Sequence, residues 1–153
     1  DKLMNQLIFD TRFHDADQLI REVTPNMIKF DLLNKLSVEI QNTIKSTSAL
    51  EKYSLNLWKA TKNPEKYNIK ISGIDMDRLI ISGASPRGIS MMMKCARVNA
   101  WLKNRTSILP EDIHAIFHET IAHRLVFNPV YELKRTEISR ELSNQILNKV
   151  SVT

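Results

Sequence analysis

Apolar residues recur at helical spacing over most of this chain. Ile28, Leu32, Leu33, Leu36 and Ile40 share one face. Thr24-Pro25 ahead of them has the form of a helix start, with Thr as N-cap and Pro at the first helical position, where a missing N–H costs nothing. Ser48-Ala49-Leu50-Glu51 reads as a capping box in which Ser and Glu satisfy each other's orphan backbone donors. It opens a helix to about Lys62 that buries Leu50, Tyr53, Leu57 and Thr61. Asn63-Pro64 stops that helix, and residues 63–77, with Gly73, read as an irregular link.

Ser85-Pro86 starts a helix with two apolar faces. Ile89, Met92, Met93, Ala96 and Ala100 make one; Met91, Cys95, Val98 and Leu102 lie nearly opposite. Only Ser90, Lys94 and Arg97 form a polar stripe, which predicts a central helix packed between neighbours. Leu109-Pro110-Glu111-Asp112 begins the next helix, with acids in the first turn as the dipole prefers and a core face of Ile113, Ile116, Phe117 and Ile121. A last helix carries Ile138, Leu142 and Ile146. The opening 1–23 holds a short helix or two. The expected architecture is all-α, an irregular bundle of five or six helices.

Composition agrees with this picture. Three glycines and five prolines in 153 residues are sparse punctuation, and 42% apolar with 25% charged residues is a globular balance. The net charge of +5 is too small to demand a nucleic-acid partner. Cys95 is the only cysteine, so no internal disulfide forms. The longest apolar runs, such as Leu79-Ile80-Ile81, fall far short of the ~20 residues that span a bilayer, and no basic start precedes an apolar run. The expected compartment is the cytoplasm. The chain opens at Asp1 rather than Met, and is read as part of a longer protein.

Most catalytic chemistry has no carrier here. None of Gly73, Gly83 and Gly88 stands before a Lys in a P-loop pattern, so the chain alone is not expected to hydrolyse ATP. Leu7-Ile8-Phe9-Asp10 resembles a magnesium-binding strand end but lacks a following Glu, and reads as an apolar patch. His118-Glu119 with His123 misses the zinc-protease spacing: a gap of five residues swings the second His to about 140° from the first, where a gap of four gives about 40°. His114 and His118, one turn beyond Glu111, are spaced for a metal, but helix-edge histidines explain them as well, and no metal is assigned. Cys95, among Met and Val, reads as a core residue rather than a nucleophile. No Ser elbow is present, and no catalytic residue is expected in this chain.

Ser82-Gly83-Ala84-Ser85-Pro86-Arg87-Gly88 is the strongest signal. It places Arg87 at the second position of a helix, where the dipole disfavours a cation. Either a carboxylate neighbour or solvation offsets this, or cation and helix N-terminus together face a bound anion such as phosphate. The physics of the residues leaves both open.

Gly83-Ala84-Ser85-Pro86-Arg87, the Ala/Met-rich helix after it, Arg105, the Pro110-Glu111-Asp112-Ile113 start and His123-Arg124 together resemble the C-terminal lid of MoxR-type AAA+ ATPases. Tyr53 to Lys62 is similar to the family's helix ending in Thr-Arg, with Lys62 in place of the Arg. Ile146 to Thr153 is loosely similar to the family's Val-Pro-Val-Pro tail, without its prolines. The match covers residues 24–127, an AAA+ lid-like helical domain, between an N-terminal helical segment, 1–23, and a C-terminal helix and tail, 128–153. The resemblance implies that Arg87, the sensor 2 arginine, set by Ser85 and Pro86, reaches the terminal phosphates of ATP held with Mg2+ by a separate α/β core. It implies hexameric rings, contacts with that core and with neighbouring subunits, von Willebrand A-domain partners, and chaperone-like remodelling.

Two other readings use the same residues. A DNA-binding module would present Lys94, Arg97, Lys103 and Arg105 from the helices at Pro86 and Pro110, although the five- or six-residue connection is long for a helix-turn-helix. A protein–protein adaptor would need no nucleotide.

Overall fold

The computed structural model describes residues 2–24 and 29–152. The described chain is helical apart from one short ribbon, as the pattern predicts. Its elements are α1 (Lys2–Phe9), α2 (Ala16–Glu22), α3 (Phe30–Thr43), α4 (Ser48–Lys62), α5 (Met76–Leu79), β1 (Ile80–Ser82), α6 (Pro86–Leu102), α7 (Pro110–Ile121), β2 (Val126–Phe127) and α8 (Arg135–Lys149). Five of these helices, α3, α4, α6, α7 and α8, are three turns or longer.

The chain divides into two compact units, residues 1–36 and 37–153, with the division falling inside α3. In the first unit α1 and α2 bury no residue, and Leu7, Ile8 and Phe9 are exposed on helix α1. Asp15 caps α2 by accepting from the N–H groups of Asp17 and Gln18.

The expected apolar face of α3 is only partly a core face. Pro25 and Ile28 lie outside the described residues. Leu32 and Leu33 are exposed and Leu36 is half-buried, while Ile40 is buried. The change follows the division: Ile40 belongs to the second unit, where it has packing partners, and the leucines precede it.

The second unit has a continuous core. Leu50, Tyr53, Leu57, Met92, Ala96, Ile113, Phe117, Ile121, Ile138, Leu142 and Ile146 are all buried in it. α6 packs most extensively on α7, and α8 lies against both α7 and α4. Each large side chain removed from water in this way contributes about 1.5–3 kcal/mol before the entropy of ordering it.

Helix α4 starts one residue from the expected cap. Thr47, in extended conformation, accepts from Leu50 N–H at 3.2 Å, and Glu51 takes the hydroxyl of Ser46 instead of closing a box with Ser48. Three hydroxyl residues in a row compete for that position. The link after α4 holds a 3-10 turn at Pro64–Tyr67, and Gly73 has φ 72, a left-handed conformation that suits Gly.

Helix α6 is buried on one side rather than two. Met92, Ala96 and Ala100 are buried, but Met91 and Leu102 are exposed, and Cys95 and Val98 are half-buried. The second face lines an open groove of about 540 Å³ with Gln41 and Ile116, so Cys95 lies on a groove wall and not in the core.

The ribbon, the short helix α5 and the 3-10 turns are the elements the periodicity did not announce. β1 pairs antiparallel with β2, Ile80 opposite Phe127 and Ser82 opposite Val126. It brings together the segments that lead into α6 and out of α7.

Candidate functional site

The start of α6 is built by backbone chemistry. Ser85, in extended conformation, accepts from the N–H of Gly88, and Pro86 fills the first helical position. Arg87 is next. It is exposed and has no hydrogen-bond or ion-pair partner among the described residues. The first turn of α6 holds no acid. A carboxylate neighbour is therefore not what the structure places beside Arg87, which leaves solvation and a bound anion of the explanations open from sequence.

The turn ahead of the cap is clamped onto the end of α4. The indole N–H of Trp58 donates to the carbonyl of Ala84. The Ala84 N–H donates to Thr61 Oγ1 at 3.3 Å, while that hydroxyl donates to the carbonyl of Trp58 at 2.7 Å. Gly83 is required by this approach. A Cβ there would stand 2.5 Å from Lys62 Cγ and 2.9 Å from both Lys62 Cα and the Thr61 carbonyl oxygen. The Lys62 ammonium sits 4.2 Å from the centre of the Trp58 ring, a cation–π contact. Thus the Thr-Lys end of one helix and the Gly-Ala before the next are two halves of one joint.

A second polar cluster lies at the α6–α7 turn. Asp112 is completely buried. One of its oxygens takes Asn99 Nδ2 at 3.1 Å, Lys103 Nζ at 3.4 Å and the guanidinium of Arg105; the other takes the N–H of Leu109 at 2.9 Å. Burial pushes the Asp112 carboxyl up, but the Leu109 N–H, the Arg105 guanidinium and the Lys103 ammonium outweigh it, and the net position is below the usual carboxylate value. The sequence marked Asp112 as a dipole-favoured first-turn acid; its larger role is as an ion-pair hub. The signal available was Lys103 and Arg105 on a connection whose next helix opens with an acid.

The remaining candidates divide plainly. His114 Nε2 and the Tyr53 hydroxyl share a hydrogen bond of 2.8 Å, and burial raises the Tyr53 hydroxyl. Ser143 donates its hydroxyl to the carbonyl of Ser139, so the 3.1 Å contact with His118 is an Nδ1–H donation into Ser143 Oγ. The two histidines are thus engaged with different helices, and among the described residues no group of three or more His, Cys, Asp and Glu is placed to hold a metal. Of the cations suggested for a DNA-reading face, Arg97 donates to the carbonyl of Ile44, and Lys103 and Arg105 turn inward to Asp112.

Residues 76–147 match the family model described as "AAA lid domain". The chain is 42% identical to Protein MoxR of Methylorubrum extorquens over 94% of its own length and 42% of the relative's. It is 37% identical to Protein MoxR of Paracoccus denitrificans, over 84% of this chain and 38% of that one. It thus spans less than half the length of the curated relatives it matches. Among solved structures, a candidate ATPase from Cytophaga hutchinsonii superposes with a TM-score of 0.70 at 26% identity, covering 91% of this chain and 44% of that chain. With the helical body, the Ser85-capped turn and these likenesses together, the chain belongs to the MoxR-type AAA+ ATPases, with residues 76–147 as its AAA lid region.

Proposed function

We propose that this lid closes over ATP held by an α/β core outside the chain, and that Arg87 makes a charge-assisted hydrogen bond to its terminal phosphate. The observation that carries this is Arg87 itself: an exposed guanidinium without a partner among the described residues, on a helix start pinned through Trp58, Thr61 and Gly83. The residues present fit an anion. The first turn of α6 offers a guanidinium and no acid, at the positive end of a 17-residue helix.

In this scheme Ser85 fixes the first turn and Pro86 stiffens it, so the backbone that presents Arg87 is already in place and only its exposed side chain is ordered on binding. Mg2+ and the P-loop belong to the core. The Arg87 bond is worth about 1.5–3 kcal/mol and is available only with triphosphate, so it biases the lid toward closure and links hydrolysis to domain movement. The same scheme has the protein working in a hexameric ring in the cytoplasm, in contact with neighbouring subunits. A von Willebrand A-domain protein is its partner and chaperone-like remodelling its output. No helix among the described residues is long and apolar enough to cross a membrane.

The test is Arg87→Ala in the full-length protein. ATP turnover falls about tenfold or more while the thermal midpoint stays within a degree or two. Full turnover in that variant removes the proposal, and leaves the adaptor reading in its place.

A further inference from the structure

Arg124 reaches the same helix start from the other side. It ends the short 3-10 turn that follows α7, Ala122–Arg124, and its stem crosses α6 at Gly88. A Cβ added to Gly88 would stand 3.0 Å from Arg124 Cδ and 3.7 Å from its Nε. Nε donates to the carbonyl of Thr120 at 3.0 Å, one turn back along the chain.

That bond fixes the side chain at Nε and leaves two terminal amines. Neither has a partner among the described residues, and neither is buried. Other arginines of this unit are used differently. Arg105 pairs with Asp112 through one terminal nitrogen, the other being buried without a partner, and Arg135 spends its own guanidinium on Glu132 and the carbonyls of Ala122 and Leu125. Arg124, like Arg97, is held by a neutral carbonyl, and among the described residues no carboxylate pairs with it.

Gly88 directly follows Arg87, so the Arg124 stem crosses the same first turn that carries Arg87, at the positive end of the helix and without an acid in that turn. Like charges gathered at a helix N-terminus disfavour one another and the helix dipole alike. Such a cluster matches a polyanion that contributes the missing charge from outside.

We infer that Arg124 is a second phosphate-binding residue of the Arg87 turn, contacting the phosphate chain of the same nucleoside triphosphate through its terminal amines. The identity of the anion rests on the lid reading above. Gly88 is what lets the two cations share the turn, because any larger residue displaces the Arg124 stem.

The experiment measures binding of fluorescent ATP and ADP analogues to the full-length protein, with thermal midpoints as a folding control. Arg124→Gln keeps much of the side-chain length and removes the charge; it weakens ATP binding about tenfold or more, well beyond the small midpoint loss expected from the Thr120 bond. Arg124→Lys restores the charge without the Thr120 bond and recovers part of the loss. Gly88→Ala leaves every charge in place, yet weakens binding in the same direction by moving the stem. In the pair Arg87→Ala with Arg124→Gln the losses are not additive, since both groups serve one ligand.

Unchanged nucleotide affinity in Arg124→Gln, with Arg87→Ala impaired, overturns the inference and leaves the lid reading standing. Unchanged affinity and turnover in both overturns the lid reading itself. Should Arg124→Gln not fold, Gly88→Ala decides, and undiminished binding there also overturns the inference.

Discussion

The indole N–H of Trp58 donates to the carbonyl of Ala84, so the C-terminal part of α4 holds the residue immediately before the cap of α6. Thr61 completes the hold by accepting from Ala84 N–H, which lies in a fully buried residue. The backbone position of Arg87 is therefore set by a helix more than twenty residues away in sequence.

Thr61→Val tests this hold. The substitution keeps the shape and removes the acceptor of a buried N–H, which costs about 1–3 kcal/mol. Urea unfolding of the isolated chain gives the stability loss. In the full-length protein, turnover falls by more than that loss explains, since the Arg87 turn is freed.

Gly83→Ala is expected to be worse than its size suggests. The added methyl meets Lys62 Cα and the Thr61 carbonyl at 2.9 Å, atoms of a helix backbone that cannot step aside cheaply. Overpacking of this kind costs about 1–3 kcal/mol, read as a lowered denaturation midpoint.

Asp112→Asn takes the charge partner from Arg105 and Lys103, whose side chains are 26% and 48% exposed, and lowers stability by about 1–3 kcal/mol. The parent shows the matching acid sensitivity. Because the folded Asp112 carboxyl titrates below its unfolded value, its contribution is complete above the ordinary aspartate pKa of about 3.9. It is lost as pH falls through the lower folded value. Thermal melts from neutral pH down to about pH 2 show a steeper decline in the parent than in Asp112→Asn.

Arg87→Ala in this chain alone is expected to shift unfolding free energy by no more than about 0.5 kcal/mol, since the side chain is exposed and unpaired among the described residues. A larger loss would mean a structural contact for Arg87 and a different account of why it sits there.

Much of this fold is legible from periodicity. Leu50, Tyr53, Leu57 and Thr61 are buried on α4, and Ile138, Leu142 and Ile146 on α8, as their spacing predicts. The cap at Ser85 is legible too, because a hydroxyl before Pro is a local signal. The exposed Leu32 and Leu33 and the open Met91–Leu102 side of α6 were not, since amphipathicity says that a face is apolar but not what covers it. The Asp112 hub and the Arg124–Gly88 crossing were missed for a related reason. Both depend on the approach of separate segments, and spacing along one helix carries no trace of that. Even the Thr47 cap, one residue from the expected Ser48, turned on a choice among adjacent hydroxyls that backbone geometry settles.

The Ile80–Phe127 pairing has a mechanical consequence. β1 runs almost directly into the turn that carries Arg87, and β2 begins two residues after Arg124. Arg87 therefore follows one strand of the ribbon by five residues and Arg124 precedes the other by two, so the backbone pairing of Ile80 with Phe127 ties together the two short segments from which the arginines extend.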